Sequence, residues 1–156
     1  MKRKTIIIAA SALAILLLMK SKAFAKPTAT GIIRGCDASG CGNFGAKRTH
    51  GAHQGEDYTV KPGETVFSPI SGKVTRFPFP YGDDLRYTGI EIKNDDYTVK
   101  IFYMKASVPA GTIVKAGQVI GTAQNIAAKY STAMANHIHV EIRNKANVLV
   151  KPSSLF

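Results

Sequence analysis

The sequence predicts an all-β domain, a compact antiparallel sheet or sandwich with little helix. Short runs rich in β-branched and aromatic residues are separated by turns that contain Gly, Pro, Asn or Asp, a pattern typical of such folds. Apolar residues do not recur at helical spacing in these runs. The 156 residues, of which 45% are hydrophobic, can form one packed domain but not two of ordinary size.

The turns place the elements in chain order. Residues 26–34 are expected to form a linker or a first strand, and residues 35–51, rich in Gly, Ser and Asn, to form a loop. The tripeptide Asn94-Asp95-Asp96 is expected to join two strands into a hairpin. One short helix is expected in the Ala-rich residues 123–136. The predicted strands cover residues 57–60, 65–70, 73–77, 89–93, 97–103, 112–114, 118–122 and 137–143.

The first 25 residues have the pattern of a secretory signal peptide. Basic residues 2–4 precede an apolar run over residues 5–19, and Ala23-Phe24-Ala25 supplies the small residues that a signal peptidase reads. Cleavage after this tripeptide would release an exported protein, periplasmic or extracellular, with no stable membrane span. Because Lys20 and Lys22 lie unusually late for a signal peptide, an uncleaved membrane anchor is the alternative.

The charge of the chain changes when this leader is removed. The leader carries five basic and no acidic residues, so its loss lowers the formal charge from +11 to +6. A moderately cationic exported protein is suited to an anionic cell wall. Because no basic run is interleaved with aromatic residues, nucleic acid is not expected as a partner.

Two cysteines, Cys36 and Cys41, lie in the segment 26–50 that connects the leader to the main domain. An exported chain meets an oxidising compartment, so a disulfide between them is expected. The pair could also be half of a metal site, but the sequence has no second pair of cysteines to complete one.

The few histidines fall into two groups that point to a metal. On the last predicted strand, His137, His139 and Glu141 share one face because side chains alternate along a strand. His53 and Asp57, four residues apart, lie on one side of an extended segment. Two histidines and one aspartate leave a position open on zinc, where water is activated for nucleophilic attack. The alternative is that all of these are ordinary polar surface residues.

Four motifs follow one another between residues 51 and 143. His53-Gln54-Gly55-Glu56-Asp57 has the form H-x-G-x-D, and His137-Ile138-His139 the form H-x-H; residues 66–74 and 114–121 contain V-x-x-x-x-x-G-x-V and V-x-x-G-Q-x-I-G. In this order and spacing they resemble the lysostaphin/LytM-type zinc metallopeptidases. The resemblance is closer still to the leukocyte cell-derived chemotaxin branch of that family, because residues 36–42 match its C-D-x-x-G-C-G pattern.

The resemblance implies a LytM-like antiparallel β fold around one zinc ion over residues 51–150, followed by a tail at residues 151–156. The implied zinc ligands are His53, Asp57 and His139, and His137 is implied as a catalytic histidine beside the metal. The implied activity is the hydrolysis of peptide bonds in peptidoglycan, which makes wall peptides or another wall polymer the expected partner.

One position departs from the family pattern. Active members carry a further catalytic histidine in a Y-x-H motif, where this chain has Tyr103-Met104-Lys105. Lys105 can supply positive charge to an oxyanion but is a poor general base. His50, in the preceding loop, is the other histidine that could take the missing role. Two functions therefore stay open: a zinc endopeptidase weakened by this loss, and a non-enzymatic zinc-containing module that binds a partner or regulates wall hydrolases.

Substrate selection is expected in the loops, where composition is least informative. These are residues 35–50, 77–86 and 125–136. Tyr81 and Tyr87 are candidate substrate contacts because they lie in the second of these loops, which is expected to be exposed.

Overall fold

The computed structural model describes residues 23–49, 51–130 and 133–156, so residues 1–22 of the predicted leader and His50 lie outside the described part. The helical elements of the described residues are α1 (Ala127–Tyr130) and a 3-10 helix (Pro152–Ser154). None of the described helices combines the length and apolar character needed to cross a membrane. The strands are β1 (Cys36–Asp37), β2 (Gly40–Cys41), β3 (Lys47–Arg48), β4 (Gly51–Ala52), β5 (Glu56–Thr59), β6 (Thr65–Phe67), β7 (Gly72–Arg76), β8 (Gly89–Lys93), β9 (Tyr97–Phe102), β10 (Met104–Ala106), β11 (Ile113–Val114), β12 (Val119–Ala123), β13 (His137–Asn144) and β14 (Leu149–Val150).

The largest sheet is organised around β13. Along one edge β13 pairs with β9, and the sheet continues through β8 and β7 to β11. Along its other edge, the first half of β13 pairs with β5 and the second half with β14. All these pairings are antiparallel. The strand that carries Asp57 therefore lies directly beside the part of β13 that carries His137 and His139.

A smaller antiparallel sheet of β10, β12 and β6 shares one core with the large sheet. Alternation along the strands produces this core, because every second side chain points inward. The predicted all-β class is confirmed, as are the hairpin of β8 and β9 and the short helix expected within residues 123–136. The buried cluster includes Val66, Met104 and Ile120 from the small sheet and Ile90, Ile92, Val99, Ile101, Val140 and Ile142 from the large one.

The predicted loop over residues 35–51 contains two short hairpins, β1–β2 and β3–β4. The expected disulfide joins Cys36 to Cys41 across the first of them. A six-residue hairpin of this kind has too few residues for the alternation that marks a longer strand. The sequence pattern therefore missed the strands while correctly pairing the cysteines.

The predicted strand 97–103 is interrupted at Tyr103, which has a left-handed backbone with φ 64°. β9 ends at Phe102, and β10 begins at Met104 in the other sheet. The reversal breaks the inside–outside alternation that a continuous strand would have. Phe102 and Tyr103, although adjacent, consequently line the same cavity.

The segment before β1 contacts the domain through isolated bridges, from Phe24 to Ile70 and from Ile33 to Tyr58. The ring of Phe24 also packs edge-on against Tyr97, with centroids 5.2 Å apart. The pattern of small residues assigns Phe24 to a removable leader, whereas in the structure its ring is partly buried against the hydrophobic core. Cleavage after Ala25 remains a prediction.

The six residues expected as a tail fold back onto the domain. The fully buried carboxylate of Glu56 accepts hydrogen bonds from the backbone N–H and the hydroxyl of Ser153, at 2.7 and 2.9 Å, and from the hydroxyl of Tyr58 at 2.9 Å. The ring of Phe156 lies against Tyr58 with centroids 6.2 Å apart. Residues 151–156 thus help to hold the strand that carries Asp57.

Candidate metal centre

Strand register brings the candidate ligands together. In the pairing of β5 with β13, Asp57 lies opposite His139. His53 precedes β5 and is close to both because the chain at Gly55 runs against β13. A Cβ at Gly55 would overlap the carbonyl of Val140 and lie 2.9 Å from Cε1 of His139. The glycine of the H-x-G-x-D motif is therefore required by this close backbone approach.

One donor atom from each of three residues converges on a single point. Nδ1 of His139 lies 2.9 Å from both Nε2 of His53 and Oδ1 of Asp57, and the last two atoms are 3.2 Å apart. Ligand atoms of a tetrahedral zinc with bonds of about 2.0–2.1 Å stand roughly 3.3 Å from one another. The spacing and the His/Asp/His chemistry fit zinc, and within the described part of the chain the group comprises these three residues.

The outer nitrogens of both ligand histidines also have partners. Nδ1 of His53 donates to the carbonyl of Asn43 at 2.9 Å, which leaves Nε2 free to ligate. Nε2 of His139 donates to Oε1 of Glu141 at 3.3 Å, which directs Nδ1 toward Asp57. Such partners fix the tautomer and orientation of metal-binding imidazoles and raise their basicity.

Arg34 controls the second oxygen of Asp57. Its buried guanidinium donates to Oδ2 from Nη2 at 3.0 Å and from Nε at 3.3 Å, and it also pairs with Asp37. Asp37 in turn accepts a hydrogen bond from the backbone N–H of Ala135, two residues before His137. Arg34 and Asp37 therefore connect the disulfide hairpin to both sides of the candidate centre.

The electrostatics favour an ionised aspartate and a protonated His139 when no metal is bound. Burial alone would raise the pKa of Asp57, but hydrogen bonds with His139 and His53 outweigh it and lower the pKa. Burial likewise opposes charge on His139, yet its hydrogen bonds to Asp57 and Glu141 raise its pKa to about 9. The hydrogen bond with His139 lowers the pKa of Glu141.

His137 lies beside the cluster without belonging to it. Its Nδ1 donates to the carbonyl of Ala135 at 2.8 Å, and its Nε2 is 3.8 Å from Oδ2 of Asp57. Burial is the largest influence on this imidazole and lowers its pKa, so it is neutral at physiological pH. The lone pair on Nε2 is available to accept a proton.

The cluster opens into a cavity of 640 Å³. Arg34, just before the first N-terminal hairpin, and Ser39 and Arg48 of the two hairpins contribute to its lining, together with aromatic residues from later parts of the chain. Lys105 does not line this cavity; it is exposed on β10 and borders a separate groove with Phe77 and Thr88. The structure thus brings together His53, Asp57, His137 and His139 but leaves out Lys105, whose predicted catalytic role gains no support from this placement.

Comparison with known proteins agrees with this geometry. The sequence profile of "Peptidase family M23" matches residues 51–152, which include the whole metal cluster. The chain belongs to peptidase family M23. Within the M23 framework, the cluster and His137 occupy the two histidine-containing motifs from which the resemblance was inferred, and that inference is confirmed.

M23 relatives include both animal and bacterial proteins. Leukocyte cell-derived chemotaxin-2 of Bos taurus is 34% identical over 110 residues, and that of Mus musculus 36%; each match covers 70% of this chain and 72% of the relative. A zinc containing peptidase from Vibrio cholerae has a crystal structure that superposes with a TM-score of 0.59 at 29% identity. That match covers 85% of this chain but 40% of the Vibrio protein.

Sequence reasoning missed several residues of the site. Arg34 and Asn43 contact Asp57 and His53 through the fold, and no spacing in the sequence indicates either contact. Glu141 was placed correctly on the face of His139, although its role as a partner of the imidazole was not inferred. Tyr81 and Tyr87, the candidate substrate contacts, do not line the cavity; Phe79 and Tyr130 do.

Proposed function

We propose that this M23 domain is an exported zinc-dependent endopeptidase that acts on the peptides of peptidoglycan. The observation that carries the proposal is the convergence of His53, Asp57 and His139 on one point at the floor of an open cavity, with neutral His137 beside it. A purely structural zinc site is closed, whereas three protein ligands and an open position are typical of catalytic zinc.

The residues present divide the chemistry between them. Zinc, when bound by His53, Asp57 and His139, supplies Lewis acidity and lowers the pKa of water. Nε2 of His137 accepts the proton released as water attacks the peptide carbonyl and returns it to the leaving amine. The hydrogen bond from Nδ1 of His137 to the carbonyl of Ala135 keeps the proton on Nδ1, so that Nε2 is the nitrogen that can accept one. Lys105 has no part in this scheme.

The proposed partner follows from charge and compartment. A formal charge of +6 without the leader favours association with an anionic wall. The Cys36–Cys41 disulfide is typical of proteins that fold in an oxidising compartment, in agreement with export to the periplasm or beyond. The similarity to a zinc containing peptidase from Vibrio cholerae supports the choice of reaction.

A second candidate function is a zinc-containing binding module without turnover. It is favoured by Lys105, which stands where the family pattern has a catalytic histidine and lies outside the cavity. Among the described residues, His137 is then the one histidine left beside the metal cluster. The similarity to chemotaxin-2, at 34–36% identity, supports the same alternative. Both candidates require the same metal, so metal content alone does not separate them.

The deciding experiment combines zinc analysis with digestion of purified peptidoglycan. Wild-type protein is expected to hold one zinc per chain and to release muropeptides, while His137→Ala keeps the zinc and loses the release. His139→Ala should lose both, and Arg76→Ala, which breaks a surface ion pair remote from the centre, should lose neither. Stoichiometric zinc without release of any muropeptide would reject the peptidase and favour the binding module.

A further inference from the structure

Two arginines line the cavity that contains the candidate metal centre, and their guanidinium groups are engaged to very different degrees. The side chain of Arg34 is 3% exposed, and it donates to the carboxylates of Asp37 and Asp57 through Nη1, Nη2 and Nε. The side chain of Arg48 is 27% exposed, and among the described residues it makes one hydrogen bond, from Nη2 to the carbonyl of Cys41 at 2.7 Å. Of the two, Arg48 therefore has donors left for a ligand.

The guanidinium of Arg48 is held in place before any ligand binds. Its bond to Cys41 fixes it to the disulfide hairpin, and its Nη1 packs on Gly40, where a Cβ would overlap that nitrogen. Nη1 is buried and has no hydrogen-bond partner among the described residues, which is a costly state for a charged group. The protein itself leaves the hydrogen bonding of this group incomplete, which favours a role in ligand binding over a purely structural one.

The position of Arg48 relates it directly to the metal centre. Its Nη2 lies 3.6 Å from Oδ2 of Asp57, while Oδ1 of the same carboxylate faces His53 and His139. A peptide whose carbonyl lies at the three candidate ligands can therefore place the side chain of a neighbouring residue on Arg48.

The acidic side chains around the cavity already have partners. Asp57 is contacted by Arg34 at 3.0 Å, which is closer than Arg48, and Asp37 also pairs with Arg34. Glu141 accepts a hydrogen bond from Nε2 of His139 at 3.3 Å and lies two residues further along β13, a separation of about 7 Å. These acids therefore leave the charge of Arg48 available to an anionic ligand.

We propose that Arg48 binds a carboxylate on the peptide residue next to the bond held at the metal centre, so that the cavity prefers acidic peptides to uncharged peptides of the same shape. Hydrogen bonds between a guanidinium and a carboxylate are about twice as strong as those between neutral groups, and a low-dielectric cleft strengthens them further. The proposal rests on the proposed function in taking the cavity as the site of the wall peptide. It concerns binding, however, and does not require turnover.

Two blocked pentapeptides that differ only in charge test this preference. Zinc-loaded protein is titrated in a calorimeter with acetyl-Gly-Gly-Glu-Gly-Gly-amide and with its glutamine counterpart, so the central side chain is the only group that changes. We expect the glutamate peptide to bind about tenfold more tightly at low salt, the usual effect of a hydrogen bond to a charged group. Equal affinities, or no measurable binding of either peptide, would overturn the proposal. Cleavage is followed separately by mass spectrometry, so an absence of hydrolysis would remove the proposed activity without deciding the binding preference.

Variants of one hairpin locate the preference on Arg48. Arg48→Gln should bring the ratio of the two affinities close to one, and Arg48→Lys, which keeps the charge but not the paired N–H groups, should retain part of the preference. Lys47→Gln removes an exposed neighbouring charge on β3 that does not line the cavity, and it should leave the ratio unchanged. All variants are compared at full zinc loading, and the smaller change to lysine keeps the test open where glutamine disturbs the fold.

Two results with these variants would contradict the assignment to Arg48. A preference that survives in full in Arg48→Gln would mean that the metal alone selects the carboxylate. A preference that falls equally in Lys47→Gln would mean that the peptide responds to the general charge of the hairpin rather than to one guanidinium.

Discussion

Arg34 and Asp57 form a buried ion pair in which one carboxylate oxygen is held by the guanidinium and the other faces the two histidines of the candidate centre. Two N–H groups of the guanidinium contact Oδ2, while Oδ1 faces the nitrogens of His53 and His139. The pair joins residues 23 positions apart, and it connects the disulfide hairpin with the metal cluster. A metal ligand whose orientation is set in this way costs less to organise when the ion binds.

Replacement of Arg34 should therefore weaken zinc binding without touching any ligand. We expect Arg34→Ala to lower zinc affinity by about 10- to 100-fold, the usual effect of losing a partner of a metal ligand. Competition with a chromogenic chelator measures the change. Arg34→Lys restores charge but not the paired N–H groups, so it should recover part of the affinity.

The surface pair Arg76–Glu91 provides the control for this experiment. Arg76→Ala removes an exposed guanidinium that also bonds a carboxylate, at 2.7 Å, but lies away from the cavity. Its zinc affinity should equal that of the wild type. An unchanged affinity in Arg34→Ala would contradict the assigned role of Arg34.

Glu141 is expected to act on the other side of the centre. Glu141→Ala removes the acceptor for Nε2 of His139, so the imidazole is free to rotate and to change tautomer. Zinc affinity should again fall by about 10- to 100-fold. Glu91→Ala, a glutamate on β8 that bonds Arg76 instead of a ligand, should have no such effect.

Zinc affinity should depend strongly on pH between about 7 and 9. The metal-free protein holds His139 protonated up to a pKa of about 9, so zinc must displace that proton from Nδ1. We expect affinity to rise by up to about tenfold per pH unit below 9 and to level off above it. Titration calorimetry in buffers of different ionisation enthalpy should find close to one proton released per zinc. A zinc affinity that does not change with pH would contradict the ion pair between protonated His139 and Asp57.

The same shift predicts how the stability of metal-free protein responds to pH. The folded-state pKa of His139 lies above its ordinary value of 6.5, so the folded state binds the proton more tightly than the unfolded state. The resulting stabilisation is complete below about pH 6.5 and is lost as the pH rises through 9. Urea unfolding across this range measures it, and His139→Gln should remove the dependence.

Phe24 should contribute to stability even though the leader pattern includes it. A protein that begins at Phe24 is expected to be more stable than one that begins at Lys26 by about 1–2 kcal/mol, because the ring is partly buried against Tyr97. Denaturant unfolding of the two forms gives the difference. Phe24→Ala in the longer form should lose the part of this difference that comes from the ring, while the backbone bridge to Ile70 and the hydrogen bond from Ala25 to Pro69 remain. N-terminal sequencing of exported protein would show which form is made.

The fold was predictable from sequence to the extent that alternation and turns determine it. Ile138, Val140 and Ile142 on one face and His139 and Glu141 on the other follow from a period of two. The same rule failed at Tyr103, because a left-handed backbone at a non-glycine residue leaves no trace in composition.

The clustering of the candidate metal ligands was predictable from the sequence, whereas the residues that contact them were not. His53 and Asp57 are close in sequence, and the H-x-H motif lies within one strand, so the pattern itself places each pair. Arg34 precedes the disulfide hairpin and Asn43 follows it, and backbone hydrogen bonds of Arg34 and Gly42 with Asp57 hold this part of the chain against β5. Local sequence contains no record of such contacts, and the structure was needed to find them.

Because Tyr103 has a left-handed backbone, the order of residues 103–105 along the chain does not predict where their side chains lie. Read along the chain, Lys105 stands where active relatives have a histidine, yet its side chain borders the groove beside Phe77. Lys105→His would restore the written motif and put an imidazole in that groove. On this backbone the substitution is therefore not expected to add a second histidine to the cavity that holds His137.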